Sequence, residues 1–132
     1  ALWKLDIRLI AAIGRGSLFS IDLFGPDALH YGELIPEALK ARWRLCLQQD
    51  RPLLPGLLAS LGPIDFFLHD SRHTHRHMTW EYELAWQHLR TGGCLASHDI
   101  VVTTSFEAFC RTHAHEIRAH AAIGNLGYAV KR

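Results

Sequence analysis

Residues 64–100 read IDFFLHDSRHTHRHMTWEYELAWQHLRTGGCLASHDI, and this stretch decides the fold. Its apolar run at 64–69 predicts a buried strand, and a second run, CLAS at 94–97, predicts another. Between them, apolar side chains recur at the spacing of one helical face: Met78, Tyr82, Ala85, Trp86 and Leu89. Because a helix between two strands of one sheet makes a right-handed crossover, we expect the two strands to be parallel.

The same alternation of strands and helices continues on both sides. Upstream we expect a helix that ends at Gly14, strands at SLFSIDLF (17–24) and WRLCLQ (43–48), and helices at PEALKAR (36–42) and over 53–61. Downstream we expect a helix at SFEAFC (105–110) and a hairpin within EIRAHAAIGNLGYAVKR (116–132). The predicted fold class is α/β, with a mostly parallel sheet and a C-terminal antiparallel hairpin.

Composition limits the class of protein. The length of 132 residues suits one domain over 1–132, and no apolar run approaches the roughly 20 residues of a membrane span. The net charge of +1 comes from scattered Lys and Arg, so no basic stripe for nucleic acid is present. Cys46, Cys94 and Cys110 are odd in number and lie among apolar neighbours, which favours buried thiols and a cytoplasmic location.

Polar residues follow each of four predicted strands. They are Asp22, Asp50, Asp70 and the pair His98 and Asp99. Ligands of α/β sheets bind beyond the carboxyl ends of the strands, where these residues are expected. A single acid there could be a helix N-cap or a turn residue. Acids after four strands in succession predict a lined crevice.

These residues carry a family resemblance. SIDLFG at 20–25, and then the sequence from 35 to 100, resemble a class I S-adenosylmethionine-dependent methyltransferase. The branch concerned methylates small molecules, and its pattern is an apolar strand, iDgxH, a helix, LxxGG and xxDD. The resemblance covers residues 16–132. It implies a Rossmann-like sheet and methyl transfer to an oxygen, less readily a nitrogen, of a small molecule.

The resemblance also implies roles for the strand-end acids. Asp22 would bind the ribose hydroxyls of the cofactor, because a carboxylate accepts both hydroxyl protons. Asp50 would meet the exocyclic amine of adenine. Asp70 would lie beside the reacting sulfonium and face cofactor or substrate. Gly92 and Gly93 would form the tight turn before the next strand.

Some relatives hold a divalent cation at this edge, and the matching residues here are Asp70, His98 and Asp99. His98 stands where an acid is commoner, and a donor set that includes an imidazole could bind Mn, Fe or Zn, whereas Mg prefers oxygen ligands. Alternatively, His73 or His98 is a general base, since an imidazole titrates near pH 6.5. Within HTHRH at 73–77 we expect a solvated helix start rather than a dedicated zinc site.

The family's glycine-rich ExGxxxG loop has no counterpart in the sequence. GRGSLF at 14–19 follows a predicted helix rather than a strand, so it cannot replace that loop. The same order of elements argues against a dinucleotide dehydrogenase, whose glycine-rich loop also follows a strand. We expect a truncated domain whose first strand is missing, with the gap closed by upstream residues, by re-paired strands or by a homodimer. Two other functions stay open. One is a metal-dependent hydrolase that uses Asp70, His73, His98 and Asp99, and the other is a non-catalytic interaction module.

Overall fold

The computed structural model describes residues 15–23, 32–33 and 35–132. The chain divides into two compact units, residues 1–53 and 54–132, which are described separately below. Among the described residues, six strands form a two-stranded and a four-stranded sheet. No helix in this part of the chain combines the length and the apolar character needed to cross a membrane.

The first unit is built on two parallel strands. Strand β1 (Leu18–Asp22) pairs with β2 (Trp43–Leu47), and the short helix α1 (Glu37–Lys40) precedes β2. The register joins Asp22 to Leu47, so both strands end at the same edge. Helix α2 (Asp50–Leu61) begins three residues after β2 and continues into the second unit.

The second unit contains the four-stranded sheet and two longer helices. Its elements are β3 (Ile64–His69), α3 (His75–His88), β4 (Leu89–Ser97), α4 (Ser105–Thr112), β5 (Ile117–Ile123) and β6 (Leu126–Lys131). The strand order is β3-β4-β6-β5, in which β3 and β4 are parallel and the two pairs that include β6 are antiparallel. The α/β class, the parallel strands and the C-terminal hairpin are therefore as predicted.

The core of this unit lies between the two helices and the sheet. Met78, Tyr82 and Ala85 on α3 are fully buried, as the helical spacing of the sequence predicts. Phe106 of α4 closes directly over β6, where a Cβ on Gly127 would lie 2.5 Å from its ring. Only a glycine leaves room for this contact, which fixes α4 on the hairpin.

Two predictions about the backbone differ from the structure or cannot be compared with it. Strand β4 begins at Leu89, so Gly92 and Gly93 lie inside the strand and do not form the expected turn before it. Gly92 adopts a φ of 77°, and the register between β3 and β4 shifts between Ile64 and Phe66. The glycines therefore allow an irregularity within a continuous strand. The helix predicted before Gly14 lies outside the described residues.

Candidate functional site

The carboxyl ends of β3 and β4 bring distant polar residues together. The parallel register places His69 beside Ser97, and the backbone N–H of His98 donates to the carbonyl of His69 at 2.9 Å. The next residue after β3 is Asp70, so its side chain meets His98. Asp70 Oδ1 and His98 Nδ1 are 3.1 Å apart. The sequence predicted this meeting, because parallel strands end at a common edge.

Two further residues complete a strand-end cluster, which we define as Asp70, His73, His98 and Asp99. Nε2 of His73 lies 3.8 Å from Asp70 Oδ1 and 3.7 Å from Asp99 Oδ2. Asp99 Oδ2 is also 3.4 Å from His98 Nδ1. The four side chains are 24% to 31% exposed, so the cluster is open to a ligand yet partly shielded from water.

The backbone of Asp99 is held in an unusual conformation. Its φ is +52°, in the left-handed region that Asp tolerates better than most residues. Asn125, in the turn between β5 and β6, donates from Nδ2 to Asp99 Oδ1 at 3.2 Å. The carbonyl of Asn125 also accepts the N–H of Ile100 at 3.2 Å. The hairpin turn therefore orients Asp99, a role that sequence analysis missed.

A buried polar network supports the cluster from the interior. His69 is fully buried and hydrogen-bonds through Nδ1 to Oε2 of Glu81, which is 4% exposed. The same carboxylate oxygen accepts Ser71 Oγ–H at 3.0 Å, and His77 Nε2 is 3.5 Å from Oε1. Several polar partners thus offset the cost of burying Glu81. The ring of His69 also contacts that of His73 edge to face at 5.3 Å.

Sequence analysis missed Glu81 and misjudged part of HTHRH. His77 is 6% exposed and faces Glu81, so it does not belong to a solvated helix start. The reason is helical spacing, because residues 77 and 81 lie on one face of α3 that packs inward. A charged residue on an otherwise apolar helical face was the available signal.

The cluster contains donors that fit a divalent cation. One ligand atom each from Asp70, His73 and His98 can be chosen so that all three lie within 4.8 Å of one another. Nε2 of His73 is buried and has no hydrogen-bond partner among the described residues. Both carboxylates near it are beyond hydrogen-bonding distance. An unpaired imidazole nitrogen beside a carboxylate and a second imidazole is a suitable metal ligand.

Neighbouring groups with shifted pKa values are not suited to acid–base work at neutral pH. Burial raises the pKa of Tyr82 to about 12, although its hydrogen bond to Ser97 opposes this effect. Burial likewise raises the pKa of Cys94, and that of Cys110 to about 11. These thiols stay protonated and are poor nucleophiles.

Asp22 and Asp50 lie at the other strand-end edge, in the first unit. Asp22 is the last residue of β1, and its Oδ1 accepts the N–H of Leu23 at 2.7 Å. Asp50 begins α2 after β2, and its Oδ1 accepts the N–H of Arg51 at 2.7 Å. Their assignment to the cofactor stays a prediction, as do the assigned roles of the cluster.

Comparisons with known proteins agree with this architecture. A family model described as a methyltransferase domain matches residues 7–100, which is more than half of the 132 residues. The chain therefore belongs to this methyltransferase-domain family. The predicted resemblance to the class I S-adenosylmethionine-dependent methyltransferases and the Rossmann-like fold are confirmed. A comparison of the sequence with curated proteins gives no match.

Solved structures share the fold at low sequence identity. MycE methyltransferase from the mycinamycin biosynthetic pathway, in complex with Mg, S-adenosylhomocysteine (SAH) and mycinamycin VI, is 15% identical with a TM-score of 0.72. The match covers 93% of this chain and 38% of MycE, so the chain spans well under half the length of that protein. Precorrin 8W decarboxylase of Methanobacterium thermoautotrophicum is 16% identical, with a TM-score of 0.56, over 95% of this chain and 73% of its own.

Proposed function

We propose that the protein transfers the methyl group of S-adenosylmethionine to an oxygen of a small molecule. Membership of the methyltransferase-domain family supports the reaction class. MycE, which shares the fold, was solved with Mg, SAH and mycinamycin VI. The observation that carries the proposal is the meeting of Asp70 and His98, with His73 and Asp99 beside them, where α/β sheets bind ligands.

The carboxylates would bind the cofactor. Asp22 is exposed at the end of β1, and among the described residues its Oδ1 accepts a hydrogen bond only from the neighbouring backbone N–H of Leu23. Its remaining lone pairs suit the two ribose hydroxyls, each of which donates a proton. Asp50 would accept from the adenine amine, and Asp70 would line the reaction centre.

Histidine would accept the proton released by the acceptor. The acceptor oxygen attacks the methyl carbon as the bond from carbon to sulfur breaks, and the sulfonium becomes a neutral thioether. When no metal ion is bound, the hydroxyl proton passes to a ring nitrogen of His73 or His98. His73 suits this task because its Nε2 has no hydrogen-bond partner within the described part of the chain. Alignment of the reactants is the larger contribution, because the sulfonium is already a good leaving group.

A divalent cation would be held by Asp70, His98 and Asp99, with His73 beside them. When bound, it would hold the acceptor oxygen and favour loss of its proton. Asn125 would keep Asp99 in place through its 3.2 Å hydrogen bond. A cytoplasmic location and a homodimer stay predictions.

Calorimetric titration of the full-length protein with SAH tests the proposal. We expect binding, and we expect Asp22→Ala to weaken it by about tenfold or more, because hydrogen bonds to a charged group contribute about 1.5–3 kcal/mol. Glu37→Ala is the matched control, since Glu37 is an exposed carboxylate of the same unit that pairs with Lys40 on α1.

No binding of SAH, or binding that Asp22→Ala leaves unchanged, would reject the assignment. Absence of SAH binding together with one tightly held metal ion would favour the metal-dependent hydrolase instead.

A further inference from the structure

The strand-end cluster offers two imidazole nitrogens that lie within reach of one ion. Asp70, His73 and His98 supply one oxygen and two nitrogens within 4.8 Å of one another. Asp99 adds a second carboxylate, whose Oδ2 is 3.7 Å from His73 Nε2 and 3.4 Å from His98 Nδ1. The set is mixed in chemistry and not simply acidic.

The separations between donor atoms suit ligands of one metal. Two atoms each about 2.1 Å from a metal lie about 3.0–3.4 Å apart at octahedral or tetrahedral angles. Asp70 Oδ1 lies 3.1 Å from His98 Nδ1 and 3.8 Å from His73 Nε2, and the ligand atoms of the two imidazoles lie within 4.8 Å of each other. Side-chain movements of about 1 Å in these partly exposed residues would close the coordination.

The unpaired nitrogen of His73 is a separate observation that points to a ligand. Its Nε2 is buried, and none of the described residues offers it a hydrogen bond. A buried polar atom without a partner costs about 1–3 kcal/mol. Coordination to a cation would remove that cost, whereas the nearest carboxylate oxygens at 3.7 and 3.8 Å do not.

The donor types decide which cation fits. Mg²⁺ requires near-ideal octahedral geometry and takes oxygen ligands, whereas imidazole suits Zn²⁺, Fe²⁺ and Co²⁺. Two histidines and one carboxylate form a ligand set typical of such transition metals. Mg is present in the MycE complexes, but the donor set of this chain is not the all-oxygen set that Mg²⁺ prefers.

We infer that the strand-end cluster binds a divalent transition-metal ion in preference to Mg²⁺, with Asp70, His73 and His98 as ligands. The role of the ion in holding an acceptor rests on the proposed function, but its binding does not. A bound ion occupies the lone pairs of both imidazoles. In the metal-loaded protein the acceptor's proton therefore passes to Asp99, the carboxylate of the cluster that is not a ligand.

Titration of the full-length protein, freed of metal and without cofactor, tests this inference. We expect one equivalent of Co²⁺ or Zn²⁺ to bind about a hundredfold more tightly than Mg²⁺. The visible absorption bands of bound Co²⁺ should report nitrogen ligation in the unmodified protein. His73→Gln should weaken Co²⁺ binding by about tenfold or more. His98→Glu should reduce the ratio of Co²⁺ affinity to Mg²⁺ affinity, because it replaces a nitrogen donor with an oxygen donor.

His120→Gln is the control for binding at surface histidines, because His120 is exposed on β5. This variant should bind Co²⁺ as the unmodified protein does. Any of three results would overturn the inference. They are equal affinity for Mg²⁺ and Co²⁺, Co²⁺ absorption bands typical of oxygen-only ligation, and metal affinities that neither His73→Gln nor His98→Glu changes. SAH titration in the presence of a chelator stays a separate measurement, so failure of metal binding is distinguishable from failure of the proposed methyltransferase.

Discussion

The two strand-end edges of the molecule are stabilised by different kinds of contact. At the ends of β1 and β2, Asp22 and Asp50 each accept a hydrogen bond from the N–H of the following residue. At the ends of β3 and β4, Asp70 instead bonds to His98, which is 28 residues away. For Asp22, this local hydrogen bond is the one that the described residues make to Oδ1, so lone pairs of its carboxylate stay available to a flexible ligand. A cluster assembled from distant segments needs a rigid scaffold to keep its geometry.

Of the variants considered, removal of Glu81 should have the largest effect on the difference between the two edges. The buried network beneath the strand-end cluster depends on the Glu81 carboxylate. Glu81→Leu would leave His69, Ser71 and His77 without their shared carboxylate in a buried setting. We expect the free energy of unfolding to fall by about 3 kcal/mol, as when one partner of a buried ion pair is removed. Urea denaturation of the variant and the unmodified protein measures the change.

Glu107→Leu is the matched control. Glu107 is 69% exposed on α4 and pairs with Arg111 only at the surface, so its loss should change stability by less than about 0.5 kcal/mol. If the two variants were equally stable, the buried network would not be the scaffold of the edge.

The parts of this edge that the sequence could predict are those set by strand topology. Asp70 and His98 directly follow two apolar runs joined by a helical pattern, so their meeting requires only that the strands be parallel. Glu81 and Asn125 could not be found in this way. Glu81 reads as one charge on an amphipathic helix, and Asn125 as an ordinary turn residue, because neither pattern shows which tertiary partner the side chain meets.

Two sequence predictions were wrong for the same reason, namely that a local pattern does not show tertiary partners. They are the turn at Gly92 and Gly93 and the solvent exposure of His77. Gly92 and Gly93 are typical of a turn, but β4 pairs with β3 on both sides of them, at Leu89 and at Cys94, and so continues through them. His77 looks solvated in a run of histidines, but it lies on the buried face of α3. In each case long-range packing overrides a local preference.

A smaller effect is expected from removing one buried hydrogen bond between α3 and β4. Ser97 is fully buried and lies 2.6 Å from the Tyr82 hydroxyl. Ser97→Ala should lower the free energy of unfolding by about 1 kcal/mol, because the tyrosine hydroxyl loses this buried partner. It should also leave SAH binding unchanged, since Asp22 is untouched. A loss of SAH affinity with full stability would contradict the assignment of SAH binding to Asp22.

The smallest effect concerns a cluster within the second unit, formed by Glu83 on α3 with His113 and Glu116 between α4 and β5. His113 lies 3.0 Å from both carboxylate oxygens of Glu83 and 3.1 Å from Glu116 Oε1. Burial disfavours the charged imidazole, but the hydrogen bonds that it donates to the carboxylates of Glu83 and Glu116 outweigh this effect and raise the pKa of His113. The hydrogen bonds from His113 and Trp86 lower the pKa of Glu116.

These directions set the sign of the pH dependence. A raised histidine pKa gives stability that is complete below the ordinary value of 6.5 and is lost as pH rises through the raised value. A lowered carboxyl pKa gives stability present above 4.5 and lost as pH falls through the lowered value. His113→Gln should therefore reduce the melting temperature more near pH 5.5 than near pH 8.5, while His120→Gln should not. A pH-independent difference would show that His113 acts by packing alone.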